Sequence, residues 1–151
     1  MRPTDQTLDL RLIGADETTP LRLLVLRPGR PREDAIYAQD KVDGAFHAGA
    51  FAGDELVGIV SFAPEAYAPT PYVPAVRFRG MAVKPALQKS GVGSALLLWA
   101  LDHARGLGRY EVVWCHARTP AVSFYGRLGF ERIGEEFQSD VGPHYLMVRA
   151  L

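Results

Sequence analysis

A chain of 151 residues with 17 Lys plus Arg and 17 Asp plus Glu carries no formal net charge, which argues against bulk nucleic-acid binding, since that shows as a basic excess. At 48% hydrophobic and 23% charged it has the composition of one soluble globular domain, read here as residues 1–151. Its single cysteine, Cys115, excludes an internal disulfide and suits a reducing compartment.

Along the chain, Leu8–Ile13 alternates apolar and polar residues and reads as a strand. Residues 18–29, "TTPLRLLVLRPG", read as a helix with Thr19 as cap, Pro20 in its first turn and Pro28-Gly29 as its stop. Residues 29–45 are polar and read as loop or a short second helix. "FHAGAFAGDELVGIVSF" (46–62) is two β-rich runs joined at Gly53-Asp54, a hairpin. Pro64, Pro69, Pro71 and Pro74 then mark a surface loop, because proline has no place in a central ladder.

Residues 76–83, "VRFRGMAV", form the next strand, and a glycine-rich turn leads into a helix ending near Gly106. Its longest apolar run, Ala95–Leu101, is far short of the ~20 residues that cross a bilayer. "MRPTDQTLDL" lacks an apolar core of signal-peptide length, so a cytoplasmic location and no membrane partner are expected. "YEVVWCHA" (110–117) reads as a buried strand. "TPAVSFYGRLGF" (119–130) reads as a short helix capped by Thr119, with Pro120 in its first turn and Gly129 as terminator. "HYLMVRAL" is a final strand. The order is β–α–β–β–β–α–β–α–β–β.

The turn "QKSGVGS" (88–94) presents backbone N–H groups at the positive end of a helix. Gly91 and Gly93 let a bulky anion approach, Ser90 and Ser94 add hydroxyls, and Lys89 adds charge. No Lys-Ser/Thr follows the second glycine and no third glycine lies three residues beyond Gly93, so neither the triphosphate loop nor the dinucleotide fingerprint fits. The turn alone leaves open a plain strand–turn–helix whose glycines serve only packing.

Four segments, "RGMAV", "QKSGVGSALL", "VVWCHAR" and "AVSFYGRLGF", resemble the GNAT superfamily of N-acetyltransferases. The family pattern Gln/Arg-x-x-Gly-x-Gly/Ala is met by Gln88, Gly91 and Gly93. The ending "FY-x-x-LGF" is met by Phe124, Tyr125, Leu128, Gly129 and Phe130. The resemblance implies a mixed α/β fold. It has a central, largely antiparallel sheet, a splayed V between two parallel strands, and helices on both faces.

The resemblance further implies acetyl-CoA as co-substrate. Its pyrophosphate would lie on Gln88, Lys89, Ser90, Gly91, Val92, Gly93 and Ser94, with Phe124 beside the coenzyme. Its pantetheine arm would bond the backbone of Met81, Ala82 and Val83 like an added strand. Tyr125 matches the position from which many members donate a proton to the leaving thiolate. His116 stands where many members carry Asn; it could bond the pantetheine or the acceptor, or act as a base. The implied reaction is direct transfer, in a ternary complex, to a primary amine of a small molecule or peptide. The alternative is a non-catalytic acyl-CoA-binding regulatory module. Self-association into a homodimer is compatible with either.

A lysine-like amine has a pKa near ~10.4, so neutralising it at pH 7 costs roughly 4–5 kcal/mol and a base or water chain is required. "AVRFRGMAV" carries no carboxylate, and the base is unassigned. His144 either faces the acceptor or serves the loop beside it. His47 reads as an exposed strand residue and His103 as a helix-surface residue. Cys115, inside an apolar strand, reads as a small core residue rather than a nucleophile. Arg77 and Arg79 are solvated strand residues, or partners for an anionic acceptor. No His, Cys or acidic cluster has metal-ligand spacing, and no metal is expected.

Overall fold

The structure, a computed structural model, describes residues 7–151. Seven strands form one sheet: β1 (Leu8–Ile13), β2 (Phe46–Ala52), β3 (Glu55–Pro64), β4 (Ala75–Val83), β5 (Val112–Arg118), β6 (Glu131–Ser139) and β7 (Gly142–Ala150). Their spatial order is β1-β2-β3-β4-β5-β7-β6, and only the β4–β5 pair is parallel. The expected hairpin closes at Gly53-Asp54, with Gly53 at φ +62°. The fold is therefore the mixed α/β architecture expected.

The first helical segment begins earlier than the sequence suggests. A 3-10 turn (Ala15–Thr18) leads into α1 (Thr19–Leu21) and a π-helical turn (Arg22–Leu26). Gly14 holds the cap position, and its N–H donates to Glu17 Oε1 at 2.8 Å. Thr19 thus lies inside the segment and is not its cap. Residues 32–35 and 38–41 make two 3-10 turns.

α2 (Val92–Gly106) lies on one face of the sheet, burying Val92, Leu96, Leu97, Ala100, Leu101 and Ala104. The 4–3–1 recurrence of those positions gives one broad apolar stripe. All but Ala104 pack with Val60, Phe62, Val76, Phe78, Val113 and Met147 in the main core. α3 (Val122–Arg127) adds Phe124 and Tyr125 to the edge of that core, joined by Leu128 at its C-cap. The α1 segment covers the other face through Leu21, against Ile59 and Ala82. Thr119 does not cap α3; its hydroxyl donates to Glu136 Oε2 at 2.7 Å.

Two irregularities shape the middle of the sheet. First, β4 and β5 pair only at Ala75–Val112, Val76–Val113 and Arg77–Trp114. Beyond that point they part, and the backbone of 78–83 has no β5 partner. Second, β4 carries a bulge. Ser61 faces Arg79 and Ile59 faces Ala82, so Gly80 and Met81 together oppose Val60. Gly80 has φ +63°, a conformation that glycine adopts without steric cost. The extra residue rephases the strand: Val76 and Phe78 face the main core before it, Met81 and Val83 after it.

Candidate active site

Where β4 and β5 diverge, two cavities open. One, of about 660 Å³, is lined by Met81, Ala82, Val83, Gln88, Lys89, Gly91, Gly93, Ser94, Phe124 and Tyr125, with Val25, Pro120, Ala121, Ser123 and Arg127. Nine of the eleven residues expected to hold a coenzyme thus share one cavity, together with Tyr125. The other two do not line it. The Ser90 hydroxyl donates to the Leu87 carbonyl, and the Val92 side chain is buried in the main core.

The local chain geometry explains the mouth of this cavity. Lys89 at φ +64° and Gly91 at φ +95° turn the chain sharply into α2, which no side chain caps. The first N–H groups of α2 are left for another acceptor. A Cβ on Gly93 would stand 3.3 Å from Met81 Cε and 3.4 Å from Phe124 Cζ, so glycine keeps the mouth open. These features fit a pyrophosphate, and the unpaired edge of β4 fits an amide-bearing arm.

The second cavity, of about 450 Å³, meets the first at Met81, Ala121 and Tyr125. Arg77, Arg79, His116, Arg118 and His144 line it. On β5, Trp114, His116 and Arg118 alternate with the core residues Val113, Cys115 and Ala117. Arg77 lies over the Trp114 ring at 4.8 Å, and its Nη2 donates to His116 Nδ1 at 3.2 Å. Arg77 also donates to Glu65 at 3.0 Å, and Arg79 donates to the same carboxylate at 2.8 Å.

The hydrogen bonds set the two imidazoles differently. An arginine only donates, so His116 Nδ1 accepts and its proton sits on Nε2. Burial, then Arg77, then His144 push His116 down to about 4, so the ring is neutral at pH 7. His144 Nδ1 lies 2.9 Å from the Gly142 carbonyl, which only accepts, and 3.1 Å from Ser139 Oγ, whose own hydrogen is directed to that same carbonyl at 3.3 Å, so Nδ1 carries the proton. The Nε2 lone pair of His144 is then free. His144 is buried, stacked on Phe137, and held at the start of β7 opposite Arg118.

Tyr125 is packed by Phe78, Phe124 and Phe130. Burial raises its pKa, so the phenol keeps its proton. The partner of its hydroxyl is the Met81 thioether at 3.9 Å, a weak acceptor that leaves the donor available. Cys115 is pushed up to about 12 by burial, and remains a thiol. His47, expected at the surface, is buried instead, with Nδ1 2.7 Å from Ser61 Oγ. The alternation that places His116 also places Arg118, which the sequence reading passed over. No group of three or more His, Cys, Asp or Glu among the described residues is placed to hold a metal.

The sequence model of the acetyltransferase (GNAT) family matches residues 16–130. The chain belongs to the GNAT acetyltransferase family. The N-acetyltransferase YitI of Bacillus subtilis, itself uncharacterised, is 32% identical over 145 residues, 95% of this chain and 97% of that one. Among solved structures, a Lactobacillus plantarum protein superposes with a TM-score of 0.79 at 19% identity, covering 97% of this chain and 99% of its own. Escherichia coli ElaA superposes at 0.78 and 22% identity, covering 95% and 99%. At these identities the superpositions speak to the fold alone. No helix among the described residues of this GNAT acetyltransferase is long and apolar enough to cross a membrane.

Proposed function

We propose that this protein is an acetyl-CoA-dependent N-acetyltransferase acting on a primary amine of a small molecule or peptide by direct transfer. The observation that carries the reading is the junction at Met81, Ala121 and Tyr125, where a cavity fit for the coenzyme opens into a second, separately lined cavity. Acetyl-CoA supplies the acyl carbonyl and the leaving thiolate. The uncapped turn of α2, with Lys89, holds its pyrophosphate, the edge of β4 at 81–83, which has no β5 partner, aligns its arm, and Gln88, whose Nε2 donates to the Val83 carbonyl at 3.1 Å, ties the two together.

Tyr125 donates toward the sulfur as negative charge builds there. Its raised pKa keeps that proton in place across the working pH range. His144, its Nε2 lone pair exposed by the bond from Nδ1 to Gly142, takes the proton from the acceptor nitrogen. His116 cannot take that role while Nδ1 accepts from Arg77, and a ring near 4 is a poor base at pH 7. It presents an N–H donor to the acceptor instead. Such a reaction suits the reducing cytoplasm, where the lone thiol of Cys115 stays reduced.

Thiol release from acetyl-CoA in the presence of single amines tests the reading, with coenzyme binding followed by calorimetry. Amine-stimulated release is expected. Coenzyme binding with no stimulated release by any amine would favour a binding module. For the base, His144→Gln keeps a donor for Gly142 and removes the lone pair. Its turnover should fall about 100-fold and recover partly with added imidazole. Loss without recovery would reduce His144 to a structural residue.

A further inference from the structure

The 450 Å³ cavity has a pronounced charge asymmetry. Arg27, Arg77, Arg79 and Arg118 line it, and no Asp or Glu among the described residues does. The nearby carboxylate, Glu65, is shared by Arg77 and Arg79, each bonded to a different oxygen through one nitrogen. Neither pairing uses the two-pronged geometry that guanidinium and oxyanion favour. Arg77 Nε and Arg79 Nη1 are buried without any partner among the described residues. Burial first, then the neighbouring Arg79, lowers the pKa of Arg77, as expected where like charges crowd.

We propose that the acceptor is an amine bearing its own oxyanion, a carboxylate or phosphate, which is bound by Arg77 and Arg79. The inference rests on the transferase reading above and names its substrate class. An ammonium entering alone would meet several guanidiniums with one carboxylate behind them, and would be repelled. A polyamine therefore fits poorly. An amine that also carries an anion restores the balance and completes the donors that Glu65 leaves unused. The same cationic wall then favours the neutral, nucleophilic form of the amine. Arg77 and Arg79 precede Met81 by four and two residues on one strand, about 7–13 Å along it, so side chains several atoms long can bring the anion close to the junction. His116, bonded to Arg77, bridges the two ends.

Matched acceptors test this: tryptophan against tryptamine, histidine against histamine, lysine against cadaverine, and ethanolamine phosphate against ethanolamine. Rates of thiol release are expressed per neutral amine, so that differences in amine basicity cancel. At least one anionic member should exceed its partner by about 10- to 100-fold in kcat/KM, the value of one or two charged hydrogen bonds. The carboxylate and phosphate pairs separate the two anions. Arg79→Gln should bring the ratio toward one, and Arg79→Lys, which keeps charge without the fork, should fall between. Equal or better use of the decarboxylated and dephosphorylated partners by the unmodified protein would overturn the inference and leave acetyl transfer standing. So would a ratio that both Arg77→Gln and Arg79→Gln leave unchanged, whereas acetyl-CoA binding with none of the acceptors used would favour a binding module and overturn both readings. Failure to bind acetyl-CoA at all would instead sink the transferase reading. The comparison in the unmodified protein needs no variant to fold.

Discussion

Tyr125, the proposed acid, combines tight packing with a hydroxyl donor that the fold leaves almost unused. Three aromatic rings fix it, and its hydroxyl has only a thioether 3.9 Å away. Tyr125→Phe removes one oxygen and no packing. Turnover should fall about 10²–10⁴-fold, with coenzyme affinity little changed, because the bond matters as the thiolate forms. Stability should drop by at most about 1 kcal/mol, so a melting curve checks that the comparison is fair. Unchanged turnover in a folded variant would leave Tyr125 a core residue. The position of Tyr125 was legible from its motif, but which nitrogen of each histidine carries the proton was not. Whether His116 and His144 donate or accept depends on Arg77 and on the Gly142 carbonyl, neither of which sequence spacing brings to them. His47 was misjudged for a related reason: alternation marks a strand face, but not which face another element will cover.

The π-helical turn and the β4 bulge support each other through one buried ion pair. Arg22, fully buried, donates to both oxygens of Asp40 at 2.7 and 3.0 Å, to the Ala35 carbonyl, and to Ser61 on β3. Its guanidinium lies 3.9 Å over the Tyr37 ring. A Cβ at Gly80 would come within 3.2 Å of that ring and 3.5 Å of Arg22 Nε, so the bulge closes over the pair. Arg22→Met strands the Asp40 carboxylate and should cost about 3–5 kcal/mol in chemical denaturation. Adding Asp40→Leu should recover most of that loss. If the single change were tolerated, the pair would not be what holds the π-helical turn to the sheet. The apolar run after Pro20 announced a helix, but its start and its π turn were hidden. Gly14 and Glu17 cap it from outside the run, and Arg22 is drawn inward by an acid 18 residues away.

Taken whole, the molecule joins two faces of one sheet through a gap, and its order of elements was readable from period and turn residues, although no segment was assigned to β6. The gap was expected from the resemblance to the GNAT superfamily and not from those patterns, since no local signal sets where the β4–β5 ladder stops, at Arg77–Trp114. The buried titratable groups also set an acid limit on stability. Burial raises the Asp40 carboxyl, but Arg22, His47 and the Tyr37 N–H outweigh it and hold its pKa below 3.8. Its contribution is full above the ordinary carboxylate value and is lost as pH falls through the folded value. Burial lowers His47 below 6.5 and His116 to about 4, so below 6.5 the unfolded chain binds more protons at both. The melting temperature should hold steady from pH 8 to 7 and fall from about 6.5 toward 4, with a shallower fall in His47→Gln. An equally steep fall in that variant would assign the acid loss elsewhere. The central claim, that the gap seats a coenzyme and opens to an acceptor, is tested most directly by a crystal structure with coenzyme A. Pyrophosphate is expected at 89–94, the arm along 81–83 in the parting of β4 and β5, and sulfur beside the Tyr125 hydroxyl. Coenzyme density elsewhere, with the gap left empty, would contradict it.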